Sequence, residues 1–577
     1  MNKREIAQIL DEIAVLLELK GENPFKIRAY QNAARALETF QGNFEETIKK
    51  GHLEDIPGVG KAIEEKILTL HKTGKLAYYQ ELAASIPEGL IKMLDIPGLG
   101  GKRIKLIHDN LGIETIEDLK LACQAGKIAQ LPGMGAKSQN NILAGIEHLV
   151  AYSQRHLWWE AYHIAEPILN ELKHLPETVH ADLAGSLRRR LETIGDLDFV
   201  VGSKDPQAIM DWFTKHHSVE SVTAKGETKS SVRLKGGIQA DLRVVAPEQY
   251  YFALHHFTGS KDHNIQMRQR ALHMGYSLSE WGLKAEKDDH KDINHVKGEA
   301  ELFKALKLSY IPPELREGLD ELDLAAKDKI PHLVQESDIR GVFHNHTVAS
   351  DGVHTLEQMA ETADSYEWEY LGIADHSKSS RQTNGLDEER LLAQIAEIRT
   401  LNKSKRFNTH IFAGTECDIL PDGSLDFEDA ILKELDYVVV SIHSNFNMDE
   451  DAMTKRIIKA IEHPYTSILA HPTGRLLLRR EPYAVDMMKV IDAAIANKVI
   501  IELNANPYRL DMDWRLWRNV AERNILCSIN PDAHSREQLM FYKAGINIAR
   551  KGMLTKEHIL NTRPLTEVTR YFKKFIA

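Results

Sequence analysis

Between residues 338 and 577, six short apolar runs each end in a histidine, an aspartate or a glutamate. One closes on His344-Asn345-His346, and the others run Tyr370 to His376, His410 to Glu416, Asp436 to His443, Ser467 to His471 and Cys527 to His534. Helical stretches such as EERLLAQIAEIR separate them. Repeated strand–helix units predict a β/α barrel with its polar residues gathered at the strands' carboxyl ends. His344 and His346 stand two apart, so in a strand they share a face. One such histidine is more often structural. Six histidines, two aspartates and a glutamate at equivalent places are not coincidence. Nine nitrogen and oxygen donors without cysteine suit two or three ions of zinc, manganese or iron. Such a cluster generates hydroxide at neutral pH and attacks a phosphodiester.

The rest of the chain is long enough for several further domains, at 577 residues in all. Net charge is −11, from 73 Lys+Arg against 84 Asp+Glu, and residues 321–577 alone hold 32 against 39. That excludes a uniformly basic nucleic-acid coat but not a local DNA-binding surface. The 27 histidines exceed what a fold needs. Three separated cysteines, Cys123, Cys417 and Cys527, exclude a disulfide scaffold and fit a reducing compartment. The opening MNKREIAQILDEIAVLLELKG carries acids inside its apolar stretch, so it reads as neither signal peptide nor membrane span. A cytoplasmic protein is expected.

Residues 1–150 repeat one pattern three times: Ile56-Pro57-Gly58-Val59-Gly60-Lys61, Ile96-Pro97-Gly98-Leu99-Gly100-Gly101-Lys102 and Leu131-Pro132-Gly133-Met134-Gly135-Ala136-Lys137. A helical run follows each. Proline and glycine make a tight turn, and the helix that follows offers unpaired N–H groups and its positive dipole end to a phosphate. These are similar to helix-hairpin-helix motifs, which hold the DNA backbone without reading its sequence. Gly58, Gly60, Gly98, Gly100, Gly133 and Gly135 are the candidate contacts.

Residues 150–318 hold a second kind of chemistry. Gly185-Ser186-Leu187-Arg188-Arg189 is followed by Asp196-Leu197-Asp198-Phe199-Val200-Val201, and Asp241 lies in another strand-like run, Ile238 to Val245. Asp196 and Asp198 share a strand face, and paired carboxylates repel unless a cation joins them. Three carboxylates can hold two Mg²⁺ ions, one activating an attacking hydroxyl and one stabilising a leaving pyrophosphate. Gly185 and Ser186 allow close backbone approach to phosphates, and Arg189 can clamp them.

The segment Phe257-Thr258-Gly259-Ser260-Lys261-Asp262-His263-Asn264-Ile265-Gln266-Met267-Arg268 resembles the dNTP-binding segment of family X DNA polymerases. The resemblance runs through residues 1–318. It implies that Asp196, Asp198 and Asp241 bind the catalytic metals and that Ser186 and Arg189 contact the triphosphate. It implies that Phe257 and Gly259 line the sugar, while Asn264 and Arg268 probe the minor groove. His256 stands where the family often has tyrosine, so weaker exclusion of ribonucleotides is expected from a smaller ring that titrates near neutral pH. Gln239 replaces a basic residue two positions before Asp241. Lys26, Tyr30 and Lys66 match family positions for 5′-phosphate binding and for a lyase Schiff base, while Ala62 replaces another basic position of that pocket.

The His/Asp/Glu series resembles the PHP (polymerase and histidinol phosphatase) domain. His471-Pro472-Thr473-Gly474-Arg475 through Arg480, and Asn504-Ala505-Asn506-Pro507-Tyr508-Arg509-Leu510, look like its form in bacterial family X polymerases. The implied ligands are His344, His346, Asp351, His376, Glu416, His443, His471, Asp532 and His534, with Arg475 a candidate phosphate contact.

The expected architecture is multidomain, α+β and α/β. A lyase-like helical domain with the first hairpin spans 1–85, and fingers with two further hairpins span 86–150. A nucleotidyltransferase palm spans 151–245, a thumb 246–318, a linker 319–337 and a PHP-type distorted β/α barrel 338–577. The expected function is gap-filling DNA repair synthesis from dNTPs on gapped or nicked DNA by a monomer with no membrane association. The PHP domain would trim 3′ ends or cut at abasic sites. A DNA-end-binding nuclease with an idle polymerase core is the alternative, and intact Asp196, Asp198 and Asp241 speak against it. A small-molecule phosphatase would have no use for the hairpins or the dNTP-binding segment.

Overall fold

A computed structural model describes residues 1–577 apart from positions 2, 41–43, 57, 97, 98, 153, 287–290, 522, 524 and 574–577. The chain divides into two compact units, residues 1–153 with 381–384, and residues 154–380 with 385–577.

The first unit is helical. Helix Lys3–Lys20 buries Ile6, Leu10, Ile13 and Leu17 at the spacing of one helix face. Each hairpin plants two apolar residues in the same core: Ile56 and Val59, Ile96 and Leu99, Leu131 and Met134. Gly58 and Gly133 adopt φ of +92° and +73°, a region that side chains resist. Gly60 and Gly100 cap helices Lys61–Thr73 and Gly101–Leu111 with ordinary extended backbone. Gly98 lies outside the described residues.

The second unit begins with a five-stranded sheet: Thr178–Leu183 (β1), Asp196–Ser203 (β2), Val219–Lys225 (β3), Lys229–Leu234 (β4) and Gln239–Val245 (β5), in the order β1-β2-β5-β4-β3. β2 and β5 are parallel, and their register places Asp198 beside Asp241. Helices Tyr250–Thr258 and Lys261–His273 and the hairpin Tyr276–Ser279 with Gly282–Ala285 follow.

The barrel comes last. Gly341–Asn345 (β6), Tyr370–Ile373 (β7), His410–Asp418 (β8), Tyr437–Ser441 (β9), Ile468–Leu469 (β10), Ile500–Asn504 (β11) and Cys527–Asn530 (β12) form one parallel sheet in sequence order. A parallel bridge between Asn345 and Ala533 joins the ends. Phe343, Tyr370, Phe412 and Tyr437 cluster with Val568 and Phe572 of helix Leu565–Lys573, whose aromatic ring lies 5.2 Å from those of Phe343 and Tyr437. This apolar floor leaves the opposite end for polar groups.

Residues 319–337, expected as a linker, are folded into this unit. Glu321 opens helix Glu321–Ala326, is fully buried and accepts from His263 Nδ1 at 2.9 Å, while Leu322, Ala325 and Leu333 join an apolar core with Phe252 and Met267. The stretch is acidic, but its carboxylate at 321 faces inward to a partner.

A buried charge cluster binds palm to thumb. Glu299 accepts from Arg188 at 2.7 and 3.1 Å and from Arg316, which is fully buried. Removing one member of such a group strands the others without water. Glu299→Gln is expected to lower unfolding stability by about 3–5 kcal/mol in urea titrations. A loss below about 1 kcal/mol would show that solvent reaches the arginines.

Candidate active sites and nucleic-acid contacts

The palm strands set three carboxylates side by side. Asp196 and Asp198 project from one face of β2, and the parallel register brings Asp241 level with Asp198. Burial, then the charges of Asp196 and Asp241, pushes Asp198 up to about 7. Asp196 is raised for the same reasons, burial first and Asp241 second. Asp241 moves the other way. Burial alone would raise it, but hydrogen bonds from Lys229, Ser231 and Gln239 outweigh burial. Lys229 Nζ lies 2.5 Å and Gln239 Nε2 3.2 Å from its carboxylate. Gly185 is required here. Its φ is +57°, and a β-carbon would stand 2.0 Å from Asp198 Oδ2.

Helix Lys261–His273 starts at Ser260, whose side chain caps His263 N–H at 3.1 Å. Asn264 Nδ2 donates to the carbonyls of His256 (2.7 Å) and Gly259 (3.2 Å), so the expected sugar and minor-groove residues are tied together. Arg268 lies one turn further, exposed. Arg243 stacks on the Phe257 ring at 4.2 Å. Burial holds His256 below its usual range, which disfavours the charged ring. Arg189 donates from Nε to Glu317 (3.1 Å) and from Nη1 to the Thr258 carbonyl (2.8 Å).

At the barrel's carboxyl end all nine expected residues converge. Glu416 is the hub: His471 Nε2 lies 2.9 Å, His443 Nε2 3.2 Å, His376 Nδ1 2.8 Å, His344 Nε2 3.4 Å and His346 Nε2 3.7 Å from its oxygens. Asp532 stands 3.2 Å from His346 Nε2 and 3.7 Å from His344 Nε2. Asp351 stands 3.2 Å from His534 Nε2 and 3.6 Å from His376 Nε2. His346, Asp351, His376 and His534 form one candidate metal group, and His376, Glu416 and His443 another.

This donor set fits metal ions. His344 Nε2, both ring nitrogens of His346 and His376 Nδ1 are buried within 4 Å of carboxylate oxygens, yet make no hydrogen bond. Within each candidate group the ligand atoms all lie within 4.8 Å of one another, near enough to share an ion. Outer partners fix the rings: His344 Nδ1 meets Glu502 at 2.6 Å, His443 Nδ1 meets Asp418 at 2.6 Å and His534 Nδ1 meets the Asp532 carbonyl at 2.9 Å. Burial alone would lower His443, but Glu416 and Asp418 push it up to about 10.

The chain is similar to known proteins over its whole length. The DNA polymerase/3′-5′ exonuclease PolX of Bacillus subtilis (strain 168) is 38% identical over 576 residues, covering 100% of each chain. This chain belongs to the bacterial PolX family. A probable phosphatase of Thermoanaerobacter sp. (strain X514) is 24% identical over 242 residues, 40% of this chain and 93% of its own. DNA polymerase lambda of Rattus norvegicus is 24% identical over 341 residues, 54% of this chain and 56% of its own. Family profiles match a DNA polymerase beta thumb at residues 253–317, a helix-hairpin-helix domain at 1–76 and a SAM-like helix-hairpin-helix tandem at 90–147.

In this PolX chain the hairpin glycines divide by role. A β-carbon on Gly60, Gly100 or Gly135 would meet nothing within 4 Å. The fold does not need glycine there on steric grounds, whereas a phosphate approaching the helix start does. Lys26, Tyr30 and Lys66 converge on Tyr78: its ring stacks on Tyr30 at 6.3 Å and lies 5.7 and 5.2 Å from the Lys26 and Lys66 ammonium groups. Lys66 also donates to the Ala62 carbonyl at 2.9 Å. Tyr78 had no sequence signal.

Arg475 is not brought to the PHP cluster. Its guanidinium is spent on the carbonyls of Arg509 (2.9 Å) and Leu510 and on Asp513 (2.8 Å), so it braces the 509–513 loop. Arg509 stands in its place, 3.5 Å from Asp532. Sequence reasoning also passed over Glu502. It is fully buried and accepts from His344 Nδ1, the His471 N–H at 2.7 Å, Asn504 at 3.1 Å and Asn530 at 2.9 Å. Its signal was a lone carboxylate inside the apolar run Val499 to Leu503.

Two outcomes follow from these contacts. Gly100→Val is expected to weaken DNA binding about tenfold, alike for unrelated sequences, with the melting temperature unchanged; Gly133→Val is expected to lower the melting temperature as well, because its φ is positive. Fluorescence anisotropy and thermal melts separate the two, and unchanged affinity in Gly100→Val would remove that turn from the DNA contacts. Glu502→Gln places an amide donor among four donors, so metal retention in the PHP site is expected to drop about 10–100-fold. Metal content after dialysis against graded chelator reads this directly, and wild-type retention would refute the outer-partner role.

Proposed function

We propose that the chain is a DNA repair enzyme with two independent centres. The palm adds dNTPs at short gaps, and the PHP domain hydrolyses phosphodiesters as a 3′-5′ exonuclease, an abasic-site endonuclease or both. The observation that carries this reading is that both carboxylate centres are complete in one chain alike over its whole length to a PolX polymerase/exonuclease.

Asp196, Asp198 and Asp241 are the residues that would hold two Mg²⁺ ions, and the PHP nine would hold two or three ions of zinc, manganese or iron. Bound there, such ions supply charge to a leaving pyrophosphate at one centre and activate water at the other. The chain's own contribution is placement. Gly185 lets the loop close on Asp198, Ser186 and Arg189 face the triphosphate, and Phe257, Gly259, Asn264 and Arg268 set the sugar and the nascent pair. Asp418, Glu502 and the Asp532 carbonyl hold the imidazole rings in orientation. Lys26, Tyr30 and Lys66 around Tyr78 form the 5′-phosphate pocket, with Lys66 the amine for lyase chemistry. The partners are gapped or nicked DNA and dNTPs. The protein works as a monomer in the cytoplasm.

Asp196→Ala with Asp198→Ala is expected to reduce extension of a one-nucleotide gap to background and spare 3′ trimming. Glu416→Ala is expected to do the reverse. Both activities falling together in either variant would contradict two independent centres.

A further inference from the structure

Helix Tyr542–Lys551 of the PHP domain ends inside the polymerase half. Lys551 is fully buried, and its three ammonium protons are all used: on the Arg189 carbonyl (3.1 Å), the Glu314 carbonyl (3.0 Å) and Glu317 Oε1 (2.6 Å). The Trp514 ring covers it at 4.7 Å. A lysine with no water must have its charge answered, and Glu317 answers it. The same Glu317 oxygen accepts from Arg189 Nε, and Arg189 Nη1 reaches the carbonyl of Thr258 in the dNTP-binding segment. One oxygen of Glu317 is therefore shared between two cations, Lys551 and Arg189. Two neighbours on the same helix hold the adjoining loop: Asn547 accepts from Arg190 at 2.6 Å, and Arg550 donates to Glu314 at 2.8 Å.

The sharing has an electrostatic consequence. Glu317 alone would both fix the Arg189 guanidinium and offset its charge. With Lys551 donating to the same carboxylate oxygen, the carboxylate is divided between two cations, so it orients the guanidinium while offsetting less of its charge. We propose that Lys551, a residue of the PHP domain, is a positioning residue for the polymerase, acting through Glu317 and Arg189 on the triphosphate of the incoming nucleotide. The nuclease domain thereby completes the nucleotide site of its partner domain. This rests on the reading of Arg189 as a triphosphate contact.

The test uses the full chain on a one-nucleotide gap, measuring kcat and KM for dNTP in wild type, Lys551→Met, Glu317→Gln and the double variant. Trimming of 3′ ends and the melting temperature serve as controls for the fold. Lys551→Met is expected to raise KM roughly tenfold with kcat within about twofold and trimming unchanged, the size of one charge-assisted contact. Adding Glu317→Gln to Lys551→Met is expected to bring KM back to within about threefold of wild type, because no carboxylate is then left to offset Arg189; two merely structural lesions would add. Lys551→Gln, which keeps donors for the two carbonyls, carries the same expectation should Lys551→Met prove unstable. Wild-type KM in both Lys551 variants, or a double variant no better than Lys551→Met, overturns the proposal. Parallel loss of extension, trimming and melting temperature would make Lys551 a strut and overturn it too. Arg189→Ala separates the premise: wild-type KM there fails the reading of Arg189 itself, whatever Lys551 does.

Discussion

Both centres are built on one constraint, carboxylates held together at one edge of parallel β structure, the amino ends of β2 and β5 in the palm and the strands' carboxyl ends in the barrel, where their repulsion must be met. In the palm the β2–β5 register makes Asp198 and Asp241 neighbours, and Lys229 answers only one of them. Burial first, and the charges of Asp196 and Asp241 second, push Asp198 up to about 7. In the barrel Glu416, Asp532 and Asp351 are met by imidazoles instead. His344, His471 and Asp532 also hold positive φ, at 57°, 26° and 51°. Strain of that kind survives only where the surroundings over-determine it. The aromatic floor around Phe572 and the continuous apolar core outside the strands supply that support.

How much of this was legible depends on sequence distance. His344 with His346, Asp196 with Asp198 and the three Pro-Gly-x-Gly turns are local patterns, since strand alternation and turn stereochemistry act within a few residues. The strand-ending residues were legible because a β/α barrel sends every strand's carboxyl end to one place. Partners brought in from another element were not legible. Lys229 reaches Asp241 across a strand pair, Tyr78 reaches Lys26 and Lys66 across helices, and Glu502 reaches His344 across 158 positions. Arg475 shows the converse error. A basic residue beside a ligand motif looks available, but only the fold shows that Asp513 and two carbonyls have taken it.

The stretch 319–337 was expected to be a linker, yet Glu321 is buried against His263 and two backbone N–H groups. Charge alone does not separate a flexible connection from a packed one; the inward-facing Leu322, Ala325 and Leu333 do. A folded connection changes what the two domains can do. A flexible tether would let the PHP barrel visit the palm, with an effective concentration set by its length.

Here that freedom is absent at the junction. Lys551 and Glu314 are buried there, Lys551 against Glu317 and Glu314 against Arg550, and pulling the domains apart would leave charges without partners in a buried seam. Such a seam costs several kcal/mol to open at each stranded charge. Relative motion of palm and barrel is therefore expensive, and the same rigidity holds Arg189 against Glu317 and Glu317 against Lys551.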